Sequence, residues 1–452
     1  VSHHFAPDIL RAYDIRGTVG RTLHAADAHA VGRSFATRIR RAGGRRVAVG
    51  YDGRTHSPML EAALVAGLAA GGVDVVRIGL CPSPMLYYAA HTLEVDGGIQ
   101  VTGSHNPKQD NGFKLVLHRA SFFGDDIRDL AAIAAAGDWS VGDGIVTDAD
   151  VGDDYVGRVM AGYAGGAFRI GWDAGNGAAG PALQKLVERL PGEHHLLFAD
   201  VDGEFPNHHP DPTIEANLTD LKRLVADKRL DFGVAFDGDG DRIGLVDGLG
   251  RVLWGDEILA ILAQPLLARF PGAAIVADVK SSQAVFDRIE TLGGRVVMGR
   301  TGHSHMKALM QETGAPIGGE LSGHIFFGDG WYGFDDALYA AVRLIQTVHV
   351  SGTTLAELRD QLPPRCATPE WRVPVAEGEK QAAVAALVDR LRGEGAAIDL
   401  TDGVRVTTPD GWWLLRASNT EAALTLRAEA RDAEGLARVT DHLAAHGFVA
   451  PG

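Results

Sequence analysis

Arg46-Val47-Ala48-Val49-Gly50-Tyr51-Asp52 is a short apolar run that ends on an aspartate. Its length and branched residues predict a buried strand, and the polar and glycine residues after it lead into a helical stretch. The same pattern returns at Arg169-Ile170-Gly171-Trp172-Asp173 and at Ala274-Ile275-Val276-Ala277-Asp278. Strands alternating with helical patterns indicate α/β units, which place ligand chemistry in loops at the ends of buried strands. Copies spaced about 100 residues apart predict three related α/β domains.

The boundaries follow from helix ends and turn residues. Asp125 or Asp126 is placed to cap a helix whose Ile127, Leu130, Ala131 and Ala134 share one face. That helix ends at Gly137, and a glycine- and aspartate-rich stretch to about Asp154 marks a first boundary. A second lies near Gly248–Arg251. Pro363-Pro364 ends the helix carrying Leu355 and Leu358 and marks a third. Beyond it the pattern changes. Val373 and Val375 read as strand, and Val384, Leu387, Val388 and Leu391 line one helical face. Asp402-Gly403 and Pro409-Asp410-Gly411 are turns bracketing strands, as in a small α+β domain. The predicted division is 1–148, 149–250, 251–363 and 364–452.

The chain of 452 residues carries a formal charge of −15, which excludes a general nucleic-acid binder. An anionic ligand would need positive charge collected locally. Cys81 and Cys366 are too far apart in sequence to suggest a disulfide framework or a zinc motif, and a reducing compartment fits. No run approaches the ~18 apolar residues of a membrane helix. The longest, Ala62 to Val73, is broken by Gly67, Gly71 and Gly72 and reads as a buried helix and turn. Val1 to Gly20 has no apolar signal core. The expectation is a cytoplasmic protein without a membrane partner. A monomer is expected, because no long amphipathic or apolar edge segment is left over.

Five loops carry candidate chemistry. Thr102-Gly103-Ser104-His105-Asn106-Pro107 follows the apolar strand Gly98–Val101, so Ser104 is expected to be exposed and approachable. Asn106 breaks the G-x-S-x-G pattern of a hydrolase elbow. His105 is not expected to serve Ser104, because adjacent side chains diverge. Asp237-Gly238-Asp239-Gly240-Asp241-Arg242 follows the strand Phe232–Phe236. Three carboxylates at alternate positions converge on one hard cation. An EF-hand loop would need glycine and glutamate where Arg242 and Gly248 stand. Gly318-Gly319-Glu320-Leu321-Ser322-Gly323-His324 offers donors and acceptors suited to sugar hydroxyls. Arg416-Ala417-Ser418-Asn419-Thr420-Glu421 joins an arginine fork, hydroxyls and loop amides, which suits phosphate. Arg11-Ala12-Tyr13-Asp14-Ile15-Arg16-Gly17 says little alone.

In order and spacing these loops resemble the α-D-phosphohexomutase superfamily, and within it the bifunctional bacterial phosphomannomutase/phosphoglucomutase group. The resemblance runs from Arg11 to the Arg416 loop. It implies three related α/β domains and a smaller C-terminal α+β domain, arranged as a heart around a central cleft. It implies an isomerase interconverting hexose 1-phosphates and 6-phosphates, with Mg2+ and glucose 1,6-bisphosphate as activator and intermediate; phosphoglucosamine mutase is the alternative. By the resemblance, Ser104 is the phosphoserine and, with Asp237, Asp239 and Asp241, a metal ligand. Lys114, His324 and Arg16 are implied in catalysis. Tyr13, Arg242, Lys280, His303, Glu320, Ser322, His324, Arg416, Ser418, Asn419 and Thr420 are implied in substrate binding. Leu321 and Ala422 depart from the family's usual residues and touch no reactive group. Lys114 would act as a base only if its pKa were lowered. The C-terminal domain is the expected lid.

Overall fold

The computed structural model describes residues 2–376, 378–418 and 422–449. Four sheets follow one another along the chain. The first three share one topology. In each, the aspartate-ended strand is central and lies parallel to a neighbour on either side. One of those neighbours then turns back as an antiparallel hairpin.

In the first sheet Arg46–Tyr51 lies between Asp74–Leu80 and Gly97–Val101, and Asp110–Leu117 returns beside the latter. In the second, Phe168–Asp173 lies between Gly192–Leu197 and Phe232–Phe236, with Ile243–Asp247 returning. In the third, Ala274–Asp278 lies between Arg295–Gly299 and Ile317–Gly319, with Ile325–Phe327 returning. The serine loop, the acidic loop and the Glu320 loop are therefore the same hairpin in three related units.

The central strands are buried on both faces, which explains their uninterrupted apolar sequence. Their terminal aspartates brace loops. Asp52 accepts from the backbone N–H of Gly103 at 3.0 Å, and Asp278 from that of Leu321 at 3.2 Å. Asp173 instead accepts from Gly175 at 2.9 Å, within its own turn.

One apolar cluster runs from Ala48 through Leu358 and fuses the three units. The fourth sheet, built on the pair Gly411–Ala417 and Ala423–Ala430, has its own core around Trp413, Leu415 and Leu426. It meets the third unit through Trp412 and Leu414 against Val279. Arg405 and Arg427 donate across that joint, to the carbonyls of Val279 (2.7 Å) and Lys280 (2.6 Å).

Local expectations are adjusted at several points. Gly124, not Asp125 or Asp126, stands at the N-cap of Asp125–Ala136, because its positive φ makes the sharp entry that an aspartate would resist. The stretch from Gly137 to Asp154 is not all linker: Val146–Asp148 pairs with Asp74–Leu80. The helix Leu355–Asp360 stops before Pro363, its end capped by Gln361. Val375 lies just past the strand Trp371–Pro374, yet its N–H still reaches the carbonyl of Ala422 at 3.1 Å. Among the described residues, no helix is long and apolar enough to cross a membrane.

Helices Ala25–Arg41 and Ser57–Ala70 cross at bare backbone. A Cβ on Gly32 would stand 2.3 Å from the carbonyl of Leu64, and one on Gly67 would stand 2.2 Å from that of His29. Helix propensity favours Gly32→Ala by about 1 kcal/mol, but overpacking against rigid backbone costs about 1–3 kcal/mol. The clash should win, so Gly32→Ala lowers the urea midpoint. A midpoint at or above the parent's would show that the helices part freely.

Candidate active site

The three hairpin loops meet. Ser104 is 2% exposed. Its hydroxyl donates to Asp237 Oδ2 at 3.0 Å, across from the first unit to the second. This corrects the expectation of an exposed serine: the acidic loop covers it. His105 Nδ1 lies 3.1 Å from the same oxygen, so adjacent side chains converge here. The reason is local. Ser104 has φ of 50°, in the left-handed region, which turns the two side chains to one side. A non-glycine residue there costs about 1–2 kcal/mol, and such strain collects at functional sites.

Asp237, Asp239 and Asp241 are fully buried, and their oxygens lie within 4.8 Å of one another. Each like-charged pair at that spacing repels by about 3–4 kcal/mol at an effective dielectric near 20. The fold relieves this in two ways. Lys114 of the first unit donates to Asp239 at 2.8 Å and to Asp241 at 2.5 Å. Burial and the charges of Asp239 and Asp241 push the pKa of the Asp237 carboxyl well above the usual range. Ser83 supplies Asp239 with a further hydroxyl donor.

The third unit adds His324. Its Nε2 stands 3.2 Å from Asp241, and its Nδ1 pairs with Glu320 at 2.9 Å. Burial would lower its pKa, but Asp241 and Glu320 outweigh burial and raise it to about 9. Burial would also lower the pKa of Lys114; Asp239 and Asp241 override it and hold the ammonium charged. The sequence left Lys114 a base role only with a lowered pKa, and the structure moves it the other way.

Among the described residues, Asp239 Oδ1 is buried and accepts no hydrogen bond, and Asp241 Oδ1 has only the His324 imidazole beside it, at 3.2 Å. Three buried carboxylates, one with an oxygen left without a partner, form a donor set suited to a hard divalent cation.

The other predicted residues form the surround. Arg16, on the strand Ile15–Thr18, donates to Asn106 at 2.6 Å and pairs with Asp14. Arg242 ends the acidic loop, paired by backbone with His324. Tyr13 donates to the carbonyl of Thr301 at 2.6 Å and meets His303 edge-on. Burial and the cations Lys307 and Lys114 hold the pKa of His303 well below its ordinary value. Glu320 is already engaged, accepting from Gly302 N–H at 2.6 Å as well as from His324. Ser322 Oγ lies 3.3 Å from His324, and Lys280 pairs with Glu370 at 3.3 Å. Arg416 is held by Asp402 at 2.9 Å, and among the described residues its buried Nη2 donates to no partner. Ser418 follows it, accepting from Lys380 through its carbonyl at 2.7 Å. Asn419 and Thr420 lie outside the described residues.

Sequence reasoning missed Arg54, Ser83 and Asp402. Only Arg54 left a local signal, as Asp52-Gly53-Arg54 directly follows the central strand; the others are joined to the site by folding alone.

Four family models match the chain. They are phosphoglucomutase/phosphomannomutase alpha/beta/alpha domain I (residues 7–139), domain II (154–250), domain III (254–366) and the C-terminal domain (370–446). A phosphomannomutase/phosphoglucomutase of Pseudomonas putida is 41% identical, over 96% of this chain and 94% of its own length. A phosphoglucomutase of Neisseria meningitidis is 40% identical, over 98% and 97%. A solved phosphoglucomutase/phosphomannomutase family protein from Burkholderia thailandensis superposes with a TM-score of 0.92 at 41% identity, over 98% and 97%.

A cation that binds only the folded protein stabilises it by about 2.7 kcal/mol at a hundredfold excess over its Kd. Scanning fluorimetry should show the thermal midpoint rising with Mg2+ over EDTA, and the rise should vanish in Asp239→Asn. A parent midpoint indifferent to Mg2+ would contradict the site.

Proposed function

The chain belongs to the phosphoglucomutase/phosphomannomutase family, and from that we propose that it interconverts hexose 1-phosphates and hexose 6-phosphates of glucose and mannose through a phosphoryl group on Ser104. It is an isomerase that works by phosphoryl transfer. The observation that carries the residue-level reading is the Ser104 hydroxyl bonded across the unit boundary to the acidic loop.

Phosphoserine bears about −1.5 to −2 charges at neutral pH. Phosphoryl transfer is governed by positioning and electrostatics, so the residues around Ser104 matter mainly through charge. Mg2+ held by Asp237, Asp239, Asp241 and Ser104 would neutralise that charge. Arg16, Lys114 and Arg242 add positive field in an otherwise acidic protein. In one half of the cycle the Ser104 Oγ–phosphorus bond breaks and the phosphoryl group passes to the sugar's free hydroxyl, whose proton leaves. The resulting hexose 1,6-bisphosphate turns around in the cleft. In the other half its second phosphoryl group returns to Ser104, and the oxygen it leaves regains a proton.

Lys114 and His324 are the candidate proton carriers. Both are held charged by Asp239, Asp241 and Glu320, so each starts as an acid. Base work requires those carboxylates to be neutralised first. Arg416, Ser418, Asn419 and Thr420 would anchor the non-reacting phosphate. Arg416 supports this with a buried nitrogen that has no partner among the described residues. Glu320 and Ser322, with Lys280, His303 and Tyr13, would face the sugar. The separately cored fourth unit suits a lid that shields phosphoserine from water.

Turnover of glucose 1-phosphate, mannose 1-phosphate and glucosamine 1-phosphate should be compared with Mg2+ and a trace of glucose 1,6-bisphosphate. Glucose and mannose phosphates should be turned over best. Ser104→Ala should reduce kcat by at least about a thousandfold. Full activity in that variant would refute the carrier role, and a preference for glucosamine phosphate would reassign the substrate.

A further inference from the structure

Arg54 is 1% exposed and turns its guanidinium into the serine loop. One terminal nitrogen donates to the carbonyls of Pro107 (2.6 Å) and Asp110 (3.0 Å). The other donates to those of Ser104 (2.7 Å) and Asn106 (2.7 Å). Its Nε lies 3.3 Å from Asp52 Oδ2. That same oxygen accepts from the Thr102 hydroxyl at 2.8 Å and from Gly103 N–H at 3.0 Å. The Thr102 hydroxyl in turn accepts from Ser104 N–H at 2.8 Å. The approach is so close that a Cβ on Gly103 would stand 2.4 Å from Arg54 Nε. From the second unit, Phe205 covers the guanidinium at 5.4 Å.

Burying an arginine charge is expensive unless its hydrogen bonds are satisfied. Here one planar fork spans four carbonyls of a single loop, which shorter or single-headed donors cannot do. Each carbonyl drawn onto Arg54 is a partial negative charge taken away from the face that must carry a dianion. The loop that Arg54 grips is also the one that holds Ser104 in the left-handed region.

We propose that Arg54 is a positioning residue for phosphoryl transfer: it locks the serine loop through its carbonyls, fixing the aim of Ser104 and clearing negative dipoles from the phosphoryl face. This rests on the reading of Ser104 as the phosphate carrier. Arg54 is buried and engaged with the loop's carbonyls, leaving no surface for a substrate, so its effect belongs in kcat.

The test uses the full chain with Mg2+ and Arg54→Lys, which keeps the charge but gathers its donors on one atom. Phosphoserine content is measured by intact mass, and kcat is expressed per phosphorylated molecule. That kcat should fall by at least about tenfold, because small misplacements of a reacting group are costly. KM for hexose phosphate should stay within about twofold. The phosphorus NMR line of the phosphoserine should shift. Glu61→Gln breaks the pair of the buried Glu61 with the partly exposed Arg77 elsewhere in the same unit, and should leave kcat per phosphorylated molecule at the parent value. Should Arg54→Lys fail to fold, the isosteric Asp52→Asn is read the same way. An unchanged kcat per phosphorylated molecule with an unmoved phosphorus line overturns the inference. A parent protein that shows neither turnover nor phosphoserine overturns the Ser104 reading, and this one with it.

Discussion

Asp237, Asp239 and Asp241 repel one another in a buried space, and the surrounding structure is arranged to answer that repulsion. Lys114 reaches in from the first unit and His324 from the third. The carboxylates raise the pKa of both groups against the effect of burial. The acidic loop therefore does more than offer a metal site. It ties three units together electrostatically through Lys114 and His324. A divalent cation would compete with Lys114 and His324 for the same oxygens, so filling the site and freeing the proton carriers are linked events.

Repetition explains how such distant segments meet. One α/β design occurs three times, and in each copy the chemistry sits on the same hairpin beyond the central strand. A common apolar core fuses the copies and brings their hairpins together. The fourth unit stands apart in its core and touches the third through a small apolar joint crossed by Arg405 and Arg427. Arg427 bonds the carbonyl of Lys280, so the joint is continuous with a predicted substrate-contacting residue.

Where pattern is local, the sequence was legible. The aspartate-ended strands, the change of character after Pro364 and the alternating carboxylates of the acidic loop all read directly, because periodicity and spacing determine them. What escaped depends on tertiary contact. Ser104 reads as exposed from its glycine-flanked loop, yet a loop from another unit buries it. His105 reads as divergent because the left-handed turn at Ser104 is invisible in a serine-containing sequence. Arg54 reads as an ordinary loop arginine until the folded loop presents four carbonyls to it.

In the proposed reaction Ser104 gives its phosphoryl group to the sugar and takes the sugar's other phosphoryl group in return. The most direct measurement loads the protein with isotopically labelled phosphate, then adds excess unlabelled hexose 6-phosphate with Mg2+ and follows the label in a single turnover. The label should leave Ser104 and emerge in hexose 1,6-bisphosphate and hexose phosphate. Label released as inorganic phosphate, or label retained on the protein while turnover proceeds, would contradict it.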